Sequence, residues 1–505
     1  MSTVQHVEDD EEPLLEITPP QSSSSSPISS PNSTRRPILI SVFFLLGVGS
    51  LVPWNFLITP KDYWLEKLRS SNQTSSDDLN ELQKFWESSL SIAAMLPNTI
   101  FASLTCFGWL RGSVKTRILV ALMVIVMCLV FNNVFVYRER ERKVGFSKKK
   151  DEHVKKHGFK FSAFFHFLSN INTNSQLQSI FFISTLLSVV VINSAGAVLM
   201  TSISGLCAMF GEDFMNANLI GQAIAGIMAA SGNIVSLYAI ENVKTSAFIF
   251  FDLAIFIVIV CAISFRWLIG TDEYKTVAEN LEHLENIEDL EDLIDDLGDA
   301  ENFSENLTEK IEAGEIASSN LNLETIKSCF KLIPHSCFQI TFTFFITIAL
   351  FPAVSSDIKP NSRENCKLWK PIFVFLFFNI ADCVGRLLAS KFSLVNYSSA
   401  SKHVQLTMMS IFRLIFLILI PLCNIQPRGN IPVVIDSEAT FVVLLIMLGI
   451  SNGYVSTVCI TNGLDRLSKE SGGRLMEAGG ALVGFFISLG LFSGACFSFV
   501  VEAVL

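Results

Sequence analysis

Four side chains in one apolar stretch, Phe375, Asn379, Asp382 and Arg386, carry the clearest chemistry in the chain. Steps of four, three and four residues place them on one face of a helix. Asp382 and Arg386 can pair at that spacing, which lowers the cost of holding both away from water. A paired carboxylate and guanidinium also offer acceptors and donors to the vicinal hydroxyls of a sugar. The same spacing suits an ion pair that only fixes helix packing. Asn379 would orient the pair or its ligand, and Phe375, one turn away, would line the cavity. Three further charges fall in apolar stretches, Asp252, Arg413 and Glu477. Arg413 reads as structural, bonding carbonyls or a carboxylate. Carboxylates desolvated inside a helical bundle take up protons readily, so Asp252 and Glu477 are candidate proton sensors.

These residues need elements that hold them inside a membrane. The 505 residues include 43 phenylalanines and only 17% charged residues, and the mean hydropathy is +0.47. That composition describes an all-α polytopic membrane protein. Spanning segments are expected near 38–59, 90–110, 118–137, 180–210, 215–239, 245–269, 333–354, 370–390, 404–424, 439–461 and 478–503. They number about eleven, each near or above the roughly 20 residues that cross a hydrocarbon core. An odd number puts the N-terminus in the cytosol and the C-terminus outside. Arg35, Arg36, Arg111, Lys115 and Arg117 then lie on the cytosolic side, as the positive-inside rule asks. The basic insert at 138–178 would lie outside, against that rule.

The chain divides by composition. Residues 1–36, acidic and serine-rich, read as a disordered cytosolic tail, and no cleavable signal peptide is visible there. Within the tail, Asp10 to Leu15 (DEEPLL) has the form of an acidic dileucine signal, with Leu14 and Leu15 available to sorting adaptors. Residues 37–270 form a six-helix half that contains the basic insert, and 331–505 form a five-helix half. Between them, 271–330 is a polar, acidic cytosolic loop. Its segment Val277 to Leu297 reads as a solvated linker or an amphipathic helix. The net charge of −10 comes mainly from the tail and this loop. Asn72, in the sequon Asn72-Gln73-Thr74 of the first outer loop, is a glycosylation candidate.

The 11 cysteines are scattered without a CxxC pair, so neither a metal site nor a disulfide framework is read. Walker A, phosphorylatable-aspartate, HExxH and GxSxG motifs are not read here, which disfavours a primary pump or an intramembrane or lipid hydrolase. No cofactor and no enzymatic activity are expected. A gradient-driven carrier fits better, and a membrane receptor that binds without moving its ligand is the other class.

The opening span has an unusual second half, GVGSLVPWNFLITPKDYW from Gly47 to Trp64. Pro53 removes a backbone hydrogen bond and kinks the helix. Asn55 brings an amide that hydrocarbon cannot satisfy. Trp54 suits either an interfacial belt or a wall inside the protein.

This stretch resembles the first-helix signature of the equilibrative nucleoside transporter family. INSAGAVL (Ile192 to Leu199), FPAV (Phe351 to Val354), FFNIADCVGR (Phe377 to Arg386) and ISNGYVSTVCI (Ile450 to Ile460) agree with that family in the same order. The resemblance implies a major-facilitator-like architecture of six plus five helices. It implies facilitative transport of nucleosides, and possibly nucleobases, by alternating access between the two halves. It also tips Asp382 and Arg386 towards substrate contact. Leu51 and Trp54 are implied as a base-facing wall, Met95 in the second span has a similar place, and Leu491 would close the wall from the last span. Gly196 would leave room for a bulky ligand or for a close helix. In one departure, Met200 stands where relatives usually carry glutamine, seven residues after Asn193. A thioether cannot donate to a base, so altered base selectivity is expected. The plasma membrane is the expected address. The dileucine signal with Asp252 and Glu477 makes a proton-linked carrier of endolysosomal membranes the alternative.

Overall fold

The computed structural model describes residues 35–58, 64–65, 67–69, 81–84, 86–110, 112–143, 175–239, 243–278, 323–360, 367–392, 399–426 and 428–505. Ten described helices are long and apolar enough to cross a bilayer, and His403–Leu419 is a shorter apolar stretch. The first six are α1 (Arg36–Ile58), α2 (Trp86–Cys106), α3 (Val114–Lys143), α4 (Ser175–Phe210), α5 (Glu212–Ala239) and α6 (Val243–Ile269). After the short helix Leu323–Leu332 come α7 (Pro334–Leu350), α8 (Phe377–Lys391) and α9 (Ser399–Phe412). The last two are α10 (Glu438–Ser471) and α11 (Met476–Val504). Only isolated β-bridges occur among the described residues, Ile358 with Ile425 and Cys423 with Ile435.

Some boundaries differ from the sequence expectation. The helix α3 continues to Lys143, into the basic insert, because its arginines and lysines are good helix formers once a helix has started. The 34 residues of α10 reach Ser471, about 51 Å of helix, so its charged last turns stand clear of the hydrocarbon. Ser437 caps its start by accepting from Thr440 N, and Gly472 at φ 61° ends it in a left-handed cap. The ninth span is the irregular one. It breaks at Arg413 and resumes as Leu414–Leu419. The eighth opens with a π-helical turn, Pro371–Leu376, before α8 proper. The loop segment Val277 to Leu297 lies almost wholly outside the described residues.

Packing explains the glycines. The helix α1 lies against α5 and α6, while α4 packs on α2 and α3. In the second half α8 packs on α10, and α7 on α10 and α11. A Cβ at Gly47 would overlap Asn218 O of α5, and one at Gly221 would overlap Phe44 O of α1. Gly490 and Gly494 of α11 sit where a Cβ would come 2.6 Å from Thr341 O and Phe345 O of α7. Glycines spaced by four let backbones meet without a side chain between them, which is how apolar helices associate in lipid. Large apolar side chains such as Met127, Ile183, Phe256 and Ile263 point outwards on the perimeter, where hydrocarbon would cover them.

The two sets of helices meet chiefly through α11 and α5. The helix α11 lies against α4 and α2, and α5 lies against α8 and the π turn before it. The charged face of α8 therefore meets α10 of its own half, while its Asn379 side reaches α5 of the other.

Candidate functional site

Asp382 and Arg386 are buried in the protein, 6% and 4% exposed, not turned to lipid. Arg386 Nε donates to Asp382 Oδ2 at 2.8 Å, the pairing that the four-residue spacing allows. Asp382 Oδ1 accepts from Asn452 Nδ2 of α10 at 2.6 Å. Asn452 Oδ1 in turn accepts from Thr347 Oγ1 of α7 at 2.7 Å. Arg413, fully buried at the break of the ninth span, donates to Thr347 Oγ1 and Thr343 O on α7 and to Leu448 O and Ser451 Oγ on α10. Arg386 Nη1 is buried and has no hydrogen-bond partner among the described residues. Its free valence is a donor, suited to a sugar hydroxyl or a carbonyl.

α10 and α8 approach so closely at this point that glycine is required. A Cβ at Gly453 would overlap Asp382 O, and one at Gly385 would overlap Ile450 O. Asn452, beside Gly453, is thereby brought onto the carboxylate. Against the sequence reading, a G-x-S-x-G run like that of many hydrolases is present, from Gly449 to Gly453. Here it lies inside a continuous helix, and Ser451 accepts from Arg413.

Asn379 is half-buried and donates to Phe375 O at 2.8 Å. Its Oδ1 occupies the notch left by Gly226 of α5, where a Cβ would overlap it. It therefore bridges the two sets of helices and does not bond the Asp382–Arg386 pair. Phe375 lies in the π turn and packs edge-on against Phe351, which stacks on Phe378 at 3.8 Å. The FPAV motif thus anchors the start of the eighth span.

Leu51, Trp54, Met200 and Leu491 all pack in or against the same large apolar cluster. Phe375 belongs to a second cluster with Phe351 and Phe378. Met95 is buried, and Thr99 Oγ1 lies 3.1 Å from its carbonyl and 3.0 Å from Ser488 O of α11. A Cβ at Gly196 would meet nothing within 4 Å. Of the two readings of that glycine, close helix packing is excluded and open room remains. Met200, one turn further along α4, is 7% exposed.

The two carboxylates read as candidate proton sensors have different surroundings. Asp252 is exposed, not desolvated in the bundle, and accepts from Asn133 Nδ2 at 2.6 Å. It lies on the perimeter face of α6, beside the exposed Leu253 and Phe256. Glu477 is buried as expected but already holds a partner, Arg117 Nη2 of α3 at 2.9 Å. Gly205 of α4 packs against Glu477, and a Cβ at Gly480 would overlap Ser204 O. At this end of the molecule, where α1, α3, α7 and α11 begin, an ion pair ties α11 to α3 and bare backbone contacts bring α11 against α4. Leu14, Leu15 and Asn72 lie outside the described residues.

Sequence reasoning missed Asn452, Thr347, Thr99 and Gly226. Asn452 had a usable signal, a polar side chain within an apolar span. The others are residues too common in helices to stand out alone.

A family model described as nucleoside transporter matches residues 186–503. Equilibrative nucleoside transporter 1 of Homo sapiens is 28% identical over 490 residues, covering 92% of this chain and 96% of that protein. Equilibrative nucleoside transporter 3 of Rattus norvegicus is 27% identical, over 91% of this chain and 88% of its own length. Equilibrative nucleoside transporter 2 of Homo sapiens is 26% identical, with 92% and 96% covered.

Proposed function

Because the chain belongs to the nucleoside transporter family, we propose that it carries nucleosides across a membrane down their gradient by alternating access. It is a multi-pass transporter, not an enzyme. The observation that carries the site is the buried Asp382–Arg386 pair, with a guanidinium N–H left free inside the protein. Nucleosides are uncharged but lose many water hydrogen bonds on entering a membrane. Arg386 compensates at the sugar, Asp382 accepts from a hydroxyl through its remaining lone pairs, and Phe375 lines the approach. Leu51, Trp54, Met95, Met200 and Leu491 form the wall for the flat base.

The six-helix half, 37–270, rocks against the five-helix half, 331–505, with the acidic loop 271–330 as the tether. The Arg117–Glu477 pair closes the cytosolic end in one state and separates in the other. Asn379 in the Gly226 notch serves as the pivot. The plasma membrane is the working address, and Asn72 carries glycan on its outer face. If sorting adaptors read Leu14 and Leu15 instead, replacing both by alanine will move the protein from endolysosomes to the surface.

The test is uptake of labelled uridine and adenosine into proteoliposomes, with counterflow. Saturable uptake with counterflow is expected, following the nucleoside gradient alone. Binding without counterflow would make the protein a receptor. Accumulation driven by the pH gradient would make it proton-linked.

A further inference from the structure

We propose that Arg413 acts, through Thr347 and Asn452, as a positioning residue for the Asp382–Arg386 pair, and so sets discrimination between ribosyl and deoxyribosyl permeants. The inference rests on the reading of that pair as the sugar contact. Its basis is the direction of a hydrogen-bond chain whose two ends allow only one polarity. A guanidinium can only donate, and an ionised carboxylate can only accept.

Arg413 Nη2 donates to Thr347 Oγ1, which leaves that hydroxyl one proton to pass on. Asn452 Oδ1 lies 2.7 Å away and Thr343 O 3.0 Å away. Thr343 O already receives from Arg413 Nη2 at 3.1 Å. The proton directed at Asn452 Oδ1 fixes the amide, with its oxygen towards Thr347 and its nitrogen 2.6 Å from Asp382 Oδ1. The flipped amide would set two acceptors against each other at that distance. Asp382 is thereby held on one oxygen by Asn452 and on the other by Arg386 Nε at 2.8 Å. With the carboxylate unable to turn, the guanidinium plane of Arg386 is set too, and Nη1 remains the free, buried donor.

Arg413 has a structural task as well, since it clamps α7 to α10 through Leu448 O, Ser451 Oγ and Thr343 O. Those bonds survive when the chain is cut at Thr347. Thr347→Val keeps the side chain's shape and removes both links, so it separates positioning from clamping.

The experiment measures kcat/KM for uridine and 3′-deoxyuridine with the full-length transporter in proteoliposomes. Wild type is expected to prefer uridine, and Thr347→Val to lower that preference roughly fivefold, the worth of one directed hydrogen bond. Thr347→Ser restores the preference, and Ser451→Ala, off the chain, leaves it unchanged. If Thr347→Val does not reach the membrane, Asn452→Ala cuts the chain one link nearer the pair and is expected to lower the preference likewise. A Thr347→Val or Asn452→Ala transporter that slows both permeants equally overturns the proposal and leaves Arg413 a clamp. A wild type that transports both without preference overturns the sugar reading of Asp382 and Arg386 itself.

Discussion

Arg117 of α3 and Glu477 of α11 meet at 2.9 Å across 360 residues of sequence, each about 5% exposed. The pair joins α3 to α11 at the end of the bundle where both helices begin. Removing one member leaves the other as an uncompensated buried charge, a loss of about 3–5 kcal/mol in the state where the pair is closed. Glu477→Gln and Arg117→Ala are each expected to lower the melting temperature in detergent. Each should also raise labelling of buried Cys207 by an impermeant thiol reagent in inside-out vesicles, because Gly205 beside it packs on Glu477. Exchanging the two charges should restore most of both. Single variants as stable and as poorly labelled as wild type would remove the pair's role in closure.

Gly453 is expected to tolerate no side chain. Its Cβ would overlap Asp382 O, a backbone atom that moves only with the whole of α8. Gly453→Ala should separate α8 from α10, break the Asn452–Asp382 bond and lower surface expression severely. Gly429→Ala, with nothing within 4 Å, is the matched control and should express normally. Fluorescence-detected size exclusion of both variants decides it.

Gly196 should behave in the opposite way. Its open surroundings accept a side chain without strain, so Gly196→Leu is expected to change stability by no more than about 0.5 kcal/mol. If that room is where the permeant passes, uptake falls by at least about tenfold while the melting curve stays put. Normal uptake by a well-folded Gly196→Leu would place the permeant elsewhere.

Met200, one turn beyond Gly196 on α4, is expected to tune base choice. Met200→Gln adds a donor and an acceptor worth about 0.5–1.5 kcal/mol if a base meets them. The ratio of purine to pyrimidine uptake should then shift by roughly two- to tenfold, with overall transport retained. An unchanged ratio would show that this side chain does not face the base.

Much of this was legible before any coordinates. Apolar length marked the spans, since crossing hydrocarbon is a local requirement that each segment must meet alone. The face shared by Asp382 and Arg386 followed from helical repeat, and their pairing from a four-residue reach. The class of protein followed from ordered motifs and is upheld by the family match.

What a side chain meets across the bundle was decided only by the tertiary structure. Asp252 and Glu477 are both lone acids in apolar helices, yet one faces outwards and the other lies under Arg117. Arg413 reads alike whether it binds carbonyls or steers a carboxylate; only the meeting of α7, α9 and α10 supplies Thr347 and Asn452. Helical periodicity says which residues share a face. Which way that face turns depends on where bare glycine backbones let neighbouring helices touch, and that is a property of pairs of helices far apart in sequence.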